Sequence, residues 1–390
     1  MLLEGLKVVE MATWIAAPGC AGVMADWGAE VIKVESPIGD ATRGFYPDTA
    51  ESPGNPIFTM ENRGKKGVML DITKPAGHAA LLTLLADADV FITNVRPGSM
   101  RRAGLDYDTL KVLCPKLIYA AVTGYGLVGP DADKPAFDIT AFWGQSGVGN
   151  AMIPPDQEPF ASRPAVGDHM TALATLSAVM AALHERNTTG KGRLVETSLI
   201  RSAAYFIGWD LAVKLRFGEV VTTQARNDRP GVIAGPFRTS DDRWVLLVSR
   251  SPDCFANMMK VIERPDIPPN PRYAIPILDL DIVREVRGYI DAAFAKMDLA
   301  EAGARMTAAD LAWAPLGTLD EMVESDWAQT AGCFETVQDG WGGTFQAPAA
   351  PARFPEGAPA IGRPAPKLGE HTREVLVAAG LTPEEIDAVT

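Results

Sequence analysis

Residues 5–35 read GLKVVEMATWIAAPGCAGVMADWGAEVIKVE, and this stretch decides the fold class. Residues 5–12 form a nearly continuous apolar run, which is typical of a strand buried on both faces of a sheet. Residues 28–35 repeat that pattern, and Pro18 opens a helix among the small residues between them. Strand, helix and strand in this order predict a βαβ unit, and therefore an α/β domain with a parallel sheet.

The turn after the first strand argues against a dinucleotide site. Residues 13–19 read TWIAAPG and lack the G-x-G-x-x-G fingerprint of such sites. Glu35 ends the second strand where an acidic residue meets a ribose in those proteins, but this signal is weak without the glycines. We therefore do not expect an NAD-dependent enzyme.

Basic residues lie next to two further strand patterns. Residues 62–70 read NRGKKGVML, and residues 90–94 run into Arg96 with Arg101 and Arg102 close behind. Ligands of α/β sheets bind at strand ends, so these clusters suit an anion. Solvated charge on an ordinary surface explains them equally well, and the pattern alone leaves both interpretations open.

A long apolar helix is predicted from Asp168 to Arg186, because Leu173, Leu176 and Leu183 recur at helical spacing. The helix dipole favours a charged carboxylate at its start, whereas burial disfavours it. Such an environment suits a nucleophile. Asp is also a frequent N-cap, which contributes about 1 kcal/mol, and the local pattern favours this capping role over catalysis.

Composition excludes several function classes. The 390 residues are 47% hydrophobic and 22% charged, with a net charge of -13, which argues against nucleic acid as a partner. The four cysteines show no C-x-x-C spacing, so we expect no metal site and a reducing, cytoplasmic location. The N-terminus lacks a signal-peptide pattern, and the apolar run at residues 171–183 is shorter than the roughly 20 residues that span a bilayer. We expect no membrane association.

Known catalytic motifs leave few candidates. The chain contains no G-x-S-x-G elbow, P-loop or H-E-x-x-H, and of its four histidines only His169 adjoins a candidate carboxylate. What remains is a carboxylate nucleophile at Asp168, together with basic clusters that suit phosphates.

The order of these motifs resembles that of the class III CoA-transferases, a family that also contains the α-methylacyl-CoA racemases. The resemblance spans nearly the whole chain. Its markers include GLKVVEMA (5–12), GAEVIKVE (28–35), NRGKK (62–66), TNVRPGSMRRAGLDYDTL (93–110), CPKLIYAAVTGYG (114–126), RPAVGD (163–168) and TGKGRLVETSL (189–199).

The resemblance implies covalent chemistry at Asp168, the Asp of the GD step. That carboxylate is expected to form a mixed anhydride with the acyl group and then a thioester with CoA, before a carboxylic acid acceptor takes the CoA. The substrates are then acyl-CoA and a small carboxylic acid, and no further cofactor is needed. The matching CoA-binding positions are Ala16, Leu70, Asn94, Arg96, Arg102 and Lys134.

Two departures from the family pattern bear on the substrate. A polar side chain often found in the first turn is Ile15 here, with Trp14 beside it, and residues 229–235 replace a Gly-rich loop at best. Both favour a less polar acyl group than formyl or oxalyl, although Trp14 is also explained as a core residue.

Phe137 stands before Asp138 where the racemases have a catalytic His, so transfer is favoured over epimerisation. A racemase-type epimerase and a non-catalytic CoA-binding protein are the alternatives.

The length predicts two domains, because single cores stop growing at roughly 250–300 residues. With the resemblance, we expect a Rossmann-like α/β domain, a bridging helix, a smaller α+β domain and a C-terminal segment that returns to the first domain. Their expected bounds are residues 1–200, 201–221, 222–315 and 316–390. The family also implies a homodimer of two interlocked rings.

Overall fold

The computed structural model describes residues 2–46, 49, 51, 54–228, 231, 233, 235–248, 253–274, 279–354 and 362–389. The chain divides into two compact units. Unit 1 comprises Met1–Ala151, Pro159–Val220 and Trp327–Thr390, and unit 2 comprises Met152–Glu158 and Val221–Asp326.

Strands and helices alternate through the first 217 residues, as the opening βαβ pattern predicts. The elements are β1 Lys7–Met11, α1 Ala16–Asp26, β2 Glu30–Glu35, α2 Pro56–Asn62, β3 Lys66–Met69, α3 Pro75–Ala86, β4 Val90–Thr93, α4 Pro97–Ala103, α5 Tyr107–Leu113, β5 Ile118–Thr123, α6 Val148–Met152, α7 Val166–Thr189, β6 Leu194–Ser198, α8 Leu199–Phe206 and α9 Gly208–Phe217. A π-helix, Asp138–Gln145, precedes α6.

The six strands of unit 1 form one parallel sheet in the order β3-β2-β1-β4-β5-β6. This is the strand order of the Rossmann fold, and it confirms the prediction of an α/β domain. The order reverses between β1 and β4, where Val8 is paired with Val90. Ligands of such sheets bind at this switch point, beyond the carboxyl ends of the strands.

Both faces of the sheet are buried, which explains why central strands such as β4 and β5 are apolar runs rather than alternating patterns. Val8 belongs to the core under α1 and α7, whereas its neighbour Val9 belongs to the core on the opposite face, which includes Leu81 of α3. Helix α7 has the length and apolar composition of a membrane span. Its residues Leu176 and Val179 are buried in the sheet core, as in the central helix of a globular protein.

The expected bridging helix at residues 201–221 is broken. Helices α8 and α9 meet at Ile207, which is the C-cap of one and the N-cap of the other. Helix α9 buries none of its side chains within the described part of the chain, and Trp209 and Leu215 on it are 86% and 84% exposed.

Unit 2 is a small α+β unit. Its elements are β7 Gly235–Arg238, β8 Trp244–Val248, α10 Asp253–Val261, α11 Leu280–Phe294, α12 Leu299–Ala308, β9 Ala312–Pro315 and α13 Leu319–Glu324. The strands form an antiparallel sheet in the order β7-β8-β9. Phe237 of this sheet packs on Phe294 of α11 in a common core.

Residues 326–389 include the two side chains, His371 and Thr372, that cover the edge of the large sheet. They form α14 Asp326–Ala331, β10 Phe334–Gln338, β11 Thr344–Pro348, α15 Thr372–Ala378 and α16 Pro383–Asp387. Gly67 of the edge strand β3 donates its N–H to Nδ1 of His371 at 3.2 Å and accepts the N–H of His371 at 2.8 Å. The N–H of Met69 is bound by the Thr372 hydroxyl at 3.0 Å. These contacts satisfy backbone groups that an uncovered edge strand would expose.

Candidate active site

The candidate site is a cavity of about 470 Å³ at the switch point of the parallel sheet. Here the chain leaves β1 through Thr13 and leaves β4 through Asn94. The N–H of Thr13 donates to Oδ1 of Asn94 at 3.1 Å, and Nδ2 of Asn94 donates to the Thr13 carbonyl at 2.6 Å. The lining residues are Thr13, Trp14, Ala16, Asn94, Val95, Arg96, Pro97, Ser99, Val122, Thr123, Gly124, Ala132, Lys134, Pro135, Ala136, Phe137, Asp168 and Leu199.

Asp168 reaches this cavity from the first turn of α7. The helix begins at Val166, two residues before the predicted start, and its N-cap is Ala165 in a left-handed conformation with φ 72°. The prediction that Asp168 caps the helix is therefore wrong, because a tight turn at Ala165 moves the helix start upstream. Gly167 allows the close packing, since a Cβ there would lie 2.4 Å from Cγ of Phe142 on the π-helix.

Burial determines the protonation of Asp168. Loss of solvent and the nearby Asp138 carboxylate raise the pKa of Asp168 to about 7, with Glu61 adding to the rise and His169 opposing it. The first turn of α7 also favours the charged form, but burial outweighs it. The carboxylate therefore changes charge close to neutral pH.

His169 pairs with a buried acid on the side of α1 and α2. Its Nε2 lies 2.9 Å from Oε1 of Glu61, and this hydrogen bond is the main reason why the pKa of His169 is raised, although burial opposes it. Glu61 fits because Gly19 and Gly22 of α1 lack side chains. A Cβ at those two positions would lie 2.6 Å from Oε2 and 2.7 Å from the carbonyl oxygen of Glu61, respectively.

The structure brings most of the predicted CoA-binding residues together. Ala16, Asn94, Arg96 and Lys134 line the same cavity as Asp168. Lys134 donates to Oε1 of Gln145 at 2.9 Å, and its Nζ lies 4.8 Å from the centre of the Tyr125 ring.

Two predicted residues lie elsewhere. Leu70 is 1% exposed, and its side chain belongs to the apolar core between the sheet and α3. Arg102 lies on the exposed face of α4, where Nη2 donates to Oγ of Ser99 at 2.9 Å. Since Ser99 lines the cavity, Arg102 is one residue removed from it.

An aromatic group forms part of the cavity wall. The ring of Trp14 meets Phe137 edge-on with centres 5.0 Å apart, and Phe45 packs against Trp14 at 5.8 Å. Phe137 is half exposed and is the N-cap of the π-helix. Single-turn π-helical segments occur frequently at functional sites.

The chain matches known proteins over almost its full length. The sequence model of CoA-transferase family III covers residues 3–372. The chain belongs to CoA-transferase family III.

Two relatives carry substrate names. The (R)-2-hydroxy-4-methylpentanoate CoA-transferase of Clostridioides difficile is 34% identical over 393 residues, covering 99% of this chain and 98% of the relative. The cinnamoyl-CoA:phenyllactate CoA-transferase of Clostridium sporogenes is 33% identical, covering 99% and 95%. The crystal structure of a CAIB/BAIF family protein from Brucella suis matches with a TM-score of 0.83 at 26% identity, covering 97% of this chain and 99% of that one.

Some contacts next to the candidate site of this family III CoA-transferase have no signature in the sequence. Glu61 lies 108 positions before its partner His169, and no local pattern connects them. Asp40 lies 26 positions after Trp14, and no local pattern predicts the hydrogen bond between them. Residues 229, 230, 232 and 234, part of the segment expected at best to replace the family's Gly-rich loop, lie outside the described residues.

The described residues of the CoA-transferase contain no group of three or more His, Cys, Asp or Glu side chains that could hold a metal ion. Its four cysteines, all within the described residues, form no disulfide bond, and Cys20 and Cys254 are buried. The cavity lining itself combines the Asp168 carboxylate with basic side chains and an aromatic wall.

Proposed function

We propose that this family III enzyme transfers CoA from an acyl-CoA to a carboxylic acid, with Asp168 as the nucleophile. The observation that carries the proposal is the placement of Asp168 in one cavity with Asn94, Arg96 and Lys134 at the switch point of the sheet. A carboxylate that shares a cavity with basic side chains suits a thioester whose CoA carries phosphates.

The proposed reaction begins with attack of an Asp168 oxygen on the thioester carbonyl of the donor. The C–S bond breaks, CoA leaves as a thiolate, and a mixed anhydride remains. The thiolate then attacks the aspartyl carbonyl, which releases the donor acid as a carboxylate and leaves an aspartyl-CoA thioester. The acceptor carboxylate attacks that thioester and regenerates an anhydride with free thiolate. Attack of the thiolate on the acceptor's acyl carbonyl gives the new acyl-CoA and free Asp168.

We propose a bulky apolar acyl group as the substrate class. Trp14 and Phe137 form an aromatic part of the cavity wall. The two relatives at 34% and 33% identity are named for a methylpentanoate and for cinnamoyl and phenyllactate groups. A branched or aryl acyl chain gains free energy by burial against such a wall, at about 25 cal/mol for each Å² removed from water.

The test is an isotope exchange between 4-methylpentanoyl-CoA and deuterated 4-methylpentanoate, followed by mass spectrometry. The wild type is expected to move the label into the CoA ester, and Asp168→Ala is expected to abolish the exchange. Asp108→Ala is the matched control, because Asp108 lies on the exposed face of α5. Exchange that persists in Asp168→Ala contradicts the proposal.

Loss of the α-hydrogen of a chiral 2-methylacyl-CoA without any transfer would select the racemase alternative.

We also propose that the enzyme acts as a homodimer in the reducing cytoplasm. Helix α9 presents Trp209, Leu215 and Phe217 to solvent, at 86%, 84% and 72% exposure. Large apolar side chains concentrated on one exposed helix suit an interface with a second copy of the chain. Light scattering after gel filtration is expected to give twice the mass of the chain, and a monomer at micromolar concentration would contradict the dimer. The absence of disulfide bonds among the four described cysteines is consistent with a reducing compartment.

A further inference from the structure

Trp14 has an unusual backbone for a bulky residue. Its φ is 69°, in the left-handed region that L-residues other than Gly, Asn and Asp rarely adopt. Strained residues of this kind persist where the surrounding structure holds them, and they cluster at ligand sites.

Hydrogen bonds among buried polar groups fix the backbone N–H of Trp14 in this conformation. The N–H of Trp14 donates to Oδ1 of Asp40 at 3.3 Å, and Oδ2 of Asp40 accepts from Nζ of Lys33 at 3.0 Å. Lys33 is fully buried and also donates to Oε1 of Glu10 at 2.9 Å and to the carbonyl of Ala12 at 3.1 Å. Asp40 is thus fixed between the end of β1 and the interior of the sheet.

The other side of the turn is held by Asn94. The two hydrogen bonds between Asn94 and the backbone of Thr13 fix the residue immediately before Trp14. Trp14 is therefore held between two strands, β1 and β4, at the point where their carboxyl ends meet.

The held conformation places the indole at the cavity rather than in the core. Trp14 lines the cavity with Asp168, and it belongs to none of the four apolar core clusters of the described residues. Its contacts are Phe137 and Phe45, two aromatic side chains that are each about half exposed. A core role for Trp14 does not account for these features.

We propose that Trp14 determines specificity for the acyl group, and that Asp40 and Lys33 are positioning residues that aim its indole at the acyl chain bound to Asp168. This rests on the proposed transferase function. The indole and Phe137 favour flat or branched apolar acyl chains, and they offer no positive charge to a second carboxylate.

The test uses Trp14→Gly, because glycine adopts a φ of 69° without strain and removes only the indole. The isotope exchange is measured with 4-methylpentanoyl-CoA, acetyl-CoA and succinyl-CoA, each with its own deuterated acid. In the wild type, kcat/KM is expected to be highest for 4-methylpentanoyl-CoA. In Trp14→Gly, the ratio of kcat/KM between 4-methylpentanoyl-CoA and acetyl-CoA is expected to fall by about tenfold or more.

The positioning role is tested by Asp40→Asn in both backgrounds. Asp40→Asn is expected to lower the same ratio in the wild type but not in Trp14→Gly, where no indole remains to be aimed. Near-UV circular dichroism identifies any variant that fails to fold. If Asp40→Asn fails to fold, the result for Trp14→Gly alone decides whether Trp14 determines specificity. An unchanged ratio in Trp14→Gly, or a wild-type preference for succinyl-CoA, would overturn the inference. If the wild type exchanges none of the three acids, it is the transferase function that fails.

Discussion

At the scale of single residues, the protonation of Asp168 controls the proposed chemistry, because only the carboxylate is a nucleophile. Since its pKa is raised to about 7, kcat/KM for the acyl-CoA donor is expected to rise with pH through that value. Below it, the rate should fall by about tenfold for each pH unit. A pH profile of the isotope exchange measures this, and a profile that is flat through neutral pH would contradict it.

The charge of His169 influences the pKa of Asp168, and with it the pH below which the exchange rate falls. Its positive charge lowers the pKa of Asp168, whereas Asp138 and Glu61 raise it. His169→Gln is therefore expected to move the acid limb of the profile to higher pH. His184→Gln is the matched control, because His184 lies on the same helix with an exposed side chain. A shift of equal size in both variants would count against a local effect of His169.

The same carboxylate reduces the stability of the fold. Asp168 has a pKa of about 7 in the folded chain and an ordinary value of 3.8, so the folded state binds the proton more tightly. The destabilisation is absent at low pH, grows as pH rises above the lower value, and is complete above the higher one. Asp168→Asn is expected to raise Tm by a few degrees at about pH 8 and by less at about pH 4. An equal change in Tm at the two pH values would contradict this linkage.

At the scale of elements, the site depends on the packing of α7 against the π-helix. Gly167→Ala places a methyl group against Phe142, so the start of α7 or the π-helix must move. We expect a loss of about 1–3 kcal/mol in the free energy of unfolding, with a greater loss in the exchange rate. Chemical denaturation and the isotope exchange measure the two effects.

Gly288→Ala on α11 is the control for that substitution. A Cβ at Gly288 meets no atom within 4 Å, so alanine is expected to stabilise that helix slightly. A destabilisation of Gly288→Ala as large as that of Gly167→Ala would show that contact with Phe142 is not the cause.

The elements also show what the sequence could predict. The strands β4 (VFIT) and β5 (IYAAVT) are nearly continuous apolar runs, because a strand buried on both faces has a local signature, whereas β6 (LVETS) carries the exposed Glu196. The start of α7 was misplaced because the positive φ of Ala165 has no signature in an alanine. The contact between Asp40 and Trp14 spans 26 positions, so no local pattern contains it. The resemblance identified Asp168, Asn94, Arg96 and Lys134 by position, and only the fold shows that they line one cavity.

At the scale of the whole molecule, unit 1 is assembled from distant parts of the chain. Arg63 at the end of α2 binds Asp26 through Nε at 2.9 Å and Glu335 of β10 through Nη2 at 2.6 Å. Its guanidinium thereby joins three segments. Arg63→Leu is expected to lower Tm of unit 1, because it leaves two acids without their partner. Differential scanning calorimetry measures this, and an unchanged Tm would contradict the role.

The covering of β3 by His371 and Thr372 also has a consequence for synthesis. Gly67 and His371 are 304 positions apart, so the ribosome makes the edge strand long before the residues that cover it. Throughout most of translation, the nascent sheet therefore presents an open row of backbone N–H and C=O groups to other chains. Domains generally fold as units during synthesis, with the N-terminal one first, but this sheet edge stays uncovered until His371 and Thr372 emerge. We therefore expect the polypeptide to depend on chaperones during translation, and a chain that stops before residue 362 to accumulate as aggregates.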